Sequence, residues 1–434
     1  MAGVNGMRRL GIFVGIALAA AGHATCLAAS APEACGILDS MPAGGDDGRF
    51  AGIDQAIRQG LGPDGLYPGA VILIAHDGHV AHLAAFGNAQ DLVVGKDGRV
   101  APLAPPRPMR TDEIFDMASV SKMEATTAAI LHLVDQNRLH LDDRLGRLLP
   151  VFAGTDKAAM TVEQLLTHRA GLWEWQPTWL HRDATGSVLP FLARLPRRYG
   201  IGERWAYSDL GFMILGAIVS RVSGMPLDAY VRKELYLPQK MPDTGYLPSP
   251  ALAPRIAATS QGDAYQRRMA ETGKPFPIMF PPDRAGPVAY RTDFLVGQVN
   301  DANSWLGWDG VAGHAGVFST ALDLAHYLQT LLNGGCYGNW RLASPAVLAR
   351  FEQTPFDAKQ ALGFRKIQID GVTTPIFGHS GFTGTQFMFA PALNLSVVLL
   401  TNRLHRPDSA SLHYPALTAL WNQVMRGAVT AAIQ

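Results

Sequence analysis

The stretch Phe115-Asp-Met-Ala-Ser-Val-Ser-Lys122, followed by Met123-Glu-Ala-Thr-Thr-Ala-Ala-Ile-Leu-His-Leu-Val134, decides how this chain is read. The second run joins helix-forming residues to an apolar face at helical spacing. It predicts a buried helix that begins near Ser119 and ends near Gln136-Asn137. Ser119 and Lys122 are three residues apart, one turn along one face, so their side chains can meet. A serine at the head of a helix sits beside unpaired backbone N–H groups and the positive end of the dipole. A nucleophile needs that setting if negative charge is to develop on an attacked carbonyl oxygen. A bare S-x-x-K also fits an ordinary N-cap serine with an outward lysine, so other residues have to decide.

Strand signals lie on either side of this helix, far away in the chain. Gly69-Ala-Val-Ile-Leu-Ile-Ala-His76 and His79-Val-Ala-His-Leu-Ala-Ala-Phe86 flank Asp77-Gly78, a hairpin signature. Near the C-terminus, Thr383-Gly-Thr-Gln-Phe-Met-Phe-Ala390 and Leu395-Ser-Val-Val-Leu-Leu-Thr401 flank Pro391-Ala-Leu-Asn394, a second hairpin. Short helices are expected over 50–61 and 161–168, an apolar one over 210–222, an amphipathic one over 319–333 and a last one over 412–425. Residues 91–110, rich in Gly, Pro and charge, read as a loop, and 248–308 shows little periodicity. The fold class is therefore α+β. An antiparallel sheet drawn from both ends of the chain, with flanking helices, accompanies a mainly helical subdomain. We expect one domain over 47–434, with its sheet part at 47–115 and 360–434 and its helical part at 116–359.

The first residues stand apart from the fold. Arg8 and Arg9 precede a short apolar run from Leu10 to Gly22, and small residues continue to Ala31. That is the layout of a secretory signal peptide, assigned to 1–29, and the run is too short for a membrane span. The protein is thus expected to be exported, periplasmic or secreted. A lipoprotein anchor on Cys26 is disfavoured by the preceding His23-Ala-Thr. After cleavage Cys35 and Cys336 remain, either bonded in an oxidising compartment or as two buried thiols.

Hydrophobic content of 48% in 434 residues supports a sizeable core, and a formal net charge of +1 leaves no electrostatic footprint for nucleic acid. No Cys/His cluster has zinc spacing, so neither metal nor cofactor is expected.

Two further stretches carry chemistry. Trp205-Ala-Tyr207-Ser208-Asp209 precedes the apolar helix: Tyr207 can serve as a base beside a cation, and Asp209 either binds or caps the helix. Phe377-Gly-His379-Ser380-Gly381-Phe382-Thr-Gly384 leads into a strand, with glycines that let backbone approach a ligand. Its Gly378-His-Ser-Gly-Phe382 nearly spells a nucleophile elbow, but it ends in Phe and enters a strand, so Ser380 is not the nucleophile.

In order, S-V-S-K at 119–122, Y-S-D at 207–209 and H-S-G at 379–381 resemble the serine β-lactamase and penicillin-binding-protein superfamily. The resemblance is to its class C β-lactamase, D-Ala-D-Ala carboxypeptidase and family VIII esterase branch. Leu165-Leu-Thr-His-Arg-Ala-Gly-Leu172 and Gly313-His-Ala-Gly-Val-Phe-Ser-Thr-Ala-Leu-Asp-Leu324 add to it, over roughly 47–430.

The resemblance implies a β-lactamase/transpeptidase-like fold and an acyl-enzyme on Ser119. It implies Lys122 or Tyr207 as base, an oxyanion hole at the N–H groups of Ser119 and Phe382, and substrate contacts from Asp209, His379, Ser380 and Gly381. Lys122, held among apolar residues, is expected to have a depressed pKa unless Asp209 pairs with it and keeps it protonated. Asp209 stands where the branch has asparagine, and His379 where it often has lysine. Both changes lean away from β-lactams and D-alanyl peptides, toward esters. The expected partner is a small ester, amide or peptide, with esterase-like hydrolysis first, D-amino-acid peptidase second and β-lactamase third. A binding or sensor protein that has lost turnover is the competing class. Acyl group, leaving group and oligomeric state stay open.

Overall fold

The structure, a computed structural model, describes residues 34–39, 48–62, 65–280, 288–369, 371–406 and 414–433. The expected leader at 1–29, most of the lead-in at 39–48 and the expected start of the last helix at Leu412 lie outside them. The account concerns the unit Cys35–Gln434.

Seven strands form one antiparallel sheet: β1 (Gly69–His76), β2 (His79–Val94), β3 (Val100–Pro108), β4 (Arg365–Ile367), β5 (Ile376–Ser380), β6 (Thr385–Ala390) and β7 (Leu395–Thr401). Their spatial order is β3-β2-β1-β7-β6-β5-β4, so the first and last strands of the chain meet at the centre. There Ala70 lies opposite Thr401 and His76 opposite Leu395.

The sheet is buried on both faces. Val71 and Leu73 of β1, with Val398 and Leu400 of β7, point into the helical side. Ala70, Ile72 and Ile74, with Val397 and Leu399, point to the other side. There they meet Ile53 and Ile57 of α1 (Ala51–Gln59) and Trp421 and Val424 of α5 (Thr418–Ile433). Two buried faces explain why these strands read as continuous apolar runs rather than alternating ones.

On the helical side lie α2 (Ala128–Asp135), α3 (Asp209–Ser223) and α4 (Ala321–Leu332). A three-stranded ribbon joins Phe115–Asp116 to Val317–Ser319 and then to Gly245–Tyr246. It sets the start of the Ser119 segment beside the Gly313-His314 loop.

Three expectations need correction. Residues 91–110 are not a loop: β2 runs on to Val94 and pairs with β3, whose prolines are tolerated because β3 is the sheet's edge. The segment 248–308 holds a 3₁₀ turn at Pro250–Arg255, a helix at Ala264–Thr272 and a π turn at Asn303–Gly307. The closing helix runs later than expected, over Thr418–Ile433, because Leu420, Trp421, Val424 and Ala428 face the sheet.

Cys35 and Cys336 are disulfide-bonded, with Cα atoms 5.9 Å apart across 301 residues of sequence. Among the described residues no single helix is long and apolar enough to cross a membrane.

Candidate active site

The helix expected from Ser119 is not regular at its start. Ala118–Val120 form a 3₁₀ turn, Lys122–Thr127 a π-helical segment, and α2 follows. A 3₁₀ turn brings side chains at i and i+3 over one another, and the Lys122 Nζ donates to Ser119 Oγ at 2.8 Å. Ala118 takes the left-handed region at φ 45°, uncommon for a residue with a side chain. The buried Asp116 carboxylate holds it there, accepting from the N–H of Ala118 (2.9 Å) and of Asn300 (2.6 Å).

Lys122 is fully buried, and its ammonium donates two hydrogen bonds and meets one carboxylate oxygen as an ion pair. The partners are Ser119 Oγ, the His314 carbonyl at 3.0 Å and, for the ion pair, Asp209 Oδ1 at 2.8 Å. Burial alone pushes this ammonium down, but Asp209 and then Tyr207 outweigh it, and its pKa is raised to about 12. The expectation of a depressed lysine is therefore corrected, and its stated exception applies. The carboxylate that replaces asparagine is used inside the protein to keep Lys122 charged.

Asp209 is free for this because it does not cap its helix. Ser208 does, accepting from the Gly211 N–H at 3.2 Å, while its own hydroxyl donates to the Trp173 carbonyl at 2.6 Å. Tyr207, just before, places its ring centroid 5.0 Å from Lys122 Nζ.

His168 was visible in the sequence only as part of a flanking match. Its carbonyl accepts from Ala206 N–H (2.9 Å), and its Nδ1 accepts from Ser208 N–H (3.0 Å). Its ring centroid lies 4.5 Å from that of Tyr207. Burial, then the Lys122 charge, holds this imidazole neutral, well below its ordinary range.

Opposite lies the end of β5. His379 donates from Nδ1 to the Ser380 carbonyl at 2.9 Å, while its Nε2 is buried with no protein partner among the described residues. Burial, then Lys122, pushes its pKa down to about 3, so the ring is neutral, as the sequence implied. Gly381 lines the cleft and also admits a close approach from within the protein. A Cβ on Gly381 would lie 2.5 Å from the Met117 carbonyl oxygen, so what approaches closely is the nucleophile turn. Two threonines tie the same parts together: Thr383 Oγ1 donates to the Asp116 carbonyl (2.7 Å) and Thr385 Oγ1 to the Met117 carbonyl (3.0 Å). Among the described residues no acceptor takes the N–H of Ser119 or of Phe382. The six residues Ser119, Lys122, Tyr207, Asp209, His379 and Phe382 are thus gathered around one cleft.

That cleft has two lobes meeting at Ser119 and Tyr207. One, about 420 Å³, carries Arg365, His379, Ser380, Gln386 and Arg403. The other, about 200 Å³, is walled by Trp175, Tyr265, Met269, Phe276 and Phe382. No motif announced Arg365, Arg403 or this aromatic wall, which comes partly from the stretch where periodicity failed.

Comparison with known proteins identifies the family. The Beta-lactamase family profile matches residues 53–420. An N-acetylmuramyl-L-alanine amidase of Bacillus subtilis (strain 168) is 33% identical over 380 residues, covering 82% of this chain and 81% of that protein. A provisionally named D-alanyl-D-alanine carboxypeptidase of Escherichia coli (strain K12) is 31% identical over 398 residues, 86% of each chain. Among solved structures, a penicillin-binding protein homolog from Caulobacter crescentus superposes with a TM-score of 0.65 at 23% identity, covering 90% of this chain and 99% of that one. With this profile and these relatives, the chain belongs to the beta-lactamase family and is a serine hydrolase of that fold.

Proposed function

We propose that the protein is an exported hydrolase that opens ester or amide bonds through an acyl-enzyme on Ser119. The observation that carries this is the Lys122 ammonium, 2.8 Å from both Ser119 Oγ and Asp209 Oδ1. An ammonium cannot accept the serine proton, so Tyr207, acting as the phenolate beside that cation, takes it as Ser119 Oγ bonds to the carbonyl carbon, while Lys122 supports the charge on the attacking oxygen. The oxyanion settles on the N–H groups of Ser119 and Phe382. Tyr207 returns the proton to the leaving group as the scissile bond breaks. In the second half it takes a proton from water as the water oxygen bonds to the acyl carbon, and hands that proton to Ser119 Oγ as the acyl C–O bond breaks. The contact between Lys122 and Ser119 speaks against a binding protein that has lost turnover.

Esterase-like hydrolysis remains the first reading, and Arg365 favours a second. Its guanidinium lines the larger lobe, stacks on Trp205 at 5.1 Å and meets no carboxylate among the described residues. It supplies the cation that neutral His379 lacks, so a carboxylate-bearing amide, as in the D-alanyl peptides named for the relative, also fits. Export is supported by the leader-like start and by the Cys35–Cys336 bond, which belongs to an oxidising compartment. A p-nitrophenyl ester assay on wild type and Ser119→Ala tests the chemistry: equal rates remove Ser119 from the mechanism. Cell fractionation tests export, and recovery of the protein with its leader intact in the cytoplasm overturns it.

A further inference from the structure

Phe382 is meant to present a backbone N–H to the oxyanion, yet it sits in the turn between β5 and β6, where that N–H has no acceptor among the described residues. A donor of this kind keeps its direction only if the rest of its residue is held. One side chain reaches both the carbonyl and the ring of Phe382. Arg403 Nε donates to the Phe382 carbonyl at 2.8 Å, and the guanidinium lies 5.2 Å from the ring centroid. The rings of Tyr265 and Tyr414, at 5.1 and 5.6 Å, close around the same phenyl group.

Arg403 is itself firmly rooted. It follows the end of β7, where buried Asn402 accepts from the Gly69 N–H (2.8 Å) and donates to the carbonyls of Asn88 and Ala89 (3.1 Å each). At its tip, Nη1 donates to the Pro415 carbonyl at 2.8 Å. Among the described residues no carboxylate lies within ion-pair distance of it, so an ion pair does not account for its place. Burial pushes its guanidinium below the usual value. It also lines the same lobe as Ser119 and Phe382.

We propose that Arg403 is a positioning residue for the oxyanion hole, fixing the Phe382 N–H by clamping that residue's carbonyl and ring against the rigid end of β7. The proposal rests on the Ser119 acyl-enzyme reading. It separates Arg403 from Arg365: the first acts on the transition state through Phe382, the second on a charged substrate group.

The test uses the mature full-length enzyme with p-nitrophenyl acetate, which has no carboxylate, and phenylboronic acid, whose boron bonds Ser119 Oγ and places an oxygen in the oxyanion hole. Arg403→Met is expected to lower kcat about 100-fold with KM changed less than about threefold, and to weaken phenylboronic acid by a similar factor. Arg403→Gln, which can still donate to one carbonyl, is expected to recover about tenfold of the kcat loss. If Arg403→Met does not fold, Arg403→Gln carries the test with an expected loss of about tenfold in kcat and in boronate affinity. Unchanged kcat and boronate affinity overturn the proposal, as does a change confined to KM for a carboxylate-bearing ester. Labelling of wild type by a fluorophosphonate separates the two levels. No adduct on Ser119 removes the acyl-enzyme reading and the proposal with it, whereas a Ser119 adduct with unaffected Arg403 variants removes the proposal alone.

Discussion

The two walls that face each other across Ser119 are finished to different degrees. On the nucleophile side the Lys122 ammonium is held by Ser119 Oγ, the His314 carbonyl and the Asp209 carboxylate, and Asp116 holds the turn from beneath, which leaves the Ser119 N–H as the donor open to the cleft. On the strand side, His379 Nε2, the Phe382 N–H and the Arg365 guanidinium are left without protein acceptors or counter-charges among the described residues. Buried polar groups are normally satisfied, so unfinished ones that line an open cleft mark where a ligand completes the structure. The difference teaches which wall is machinery and which is socket.

The comparison breaks most completely at the nucleophile. Ser119→Ala is expected to lower ester hydrolysis by about 10⁴-fold or more while changing stability by less than about 1 kcal/mol, read from initial rates and urea unfolding. Next comes the buried cation. Lys122→Met leaves the part-buried Asp209 without its partner, and a rate loss of about 10³-fold is expected together with about 2 kcal/mol of stability. Adding Asp209→Asn is expected to recover much of the stability and little of the rate; recovery of both would mean the pair is structural. The socket wall gives a smaller, selective effect. Arg365→Met is expected to lower kcat/KM about 100-fold for a carboxylate-bearing ester and less than tenfold for its neutral methyl ester. Equal losses would show that Arg365 does not read charge.

The smallest effect lies behind the nucleophile helix. Glu124 is fully buried, neither carboxylate oxygen has a hydrogen-bond partner among the described residues, and burial, then Asp323, raises its pKa to about 8. A carboxyl that stays protonated when folded but ionises near 4.5 when unfolded subtracts stability as pH rises between those values. The melting-temperature gain of Glu124→Gln over wild type is therefore expected to grow by several degrees from pH 5 to pH 8. Differencing against wild type removes the contributions of Asp323, Asp116 and the neutral histidines. A gain that stays constant with pH would mean that Glu124 is already ionised in the folded protein.

Much of this molecule could be read in one dimension. The Asp77-Gly78 hairpin, the paired apolar strands and the Thr161 and Thr320 caps follow from local turn chemistry and periodicity. Ser119, Lys122, Tyr207, Asp209, His379 and Phe382 were legible because each belongs to a short motif of fixed spacing. Edge strand β3 was hidden by its prolines, acceptable because no strand among the described residues pairs with its outer side. Arg365 and Arg403 were illegible for another reason: an isolated arginine acquires meaning only when strands β4 and β7 are placed in their sheet. The true state of Lys122 was written in Asp209, but only the distance between them chose between the two readings offered.

The two threonine hydroxyls that bind the β5–β6 turn to the carbonyls of Asp116 and Met117 have a mechanical consequence. They make the floor and one bank of the cleft a single stiff body, so its mouth cannot widen by the strand edge peeling away from the serine. Accommodation of bulkier acyl chains has to come from the far bank, where Tyr265, Met269 and Phe276 stand. Variation there would retune which substrates enter while leaving the reacting groups where they are.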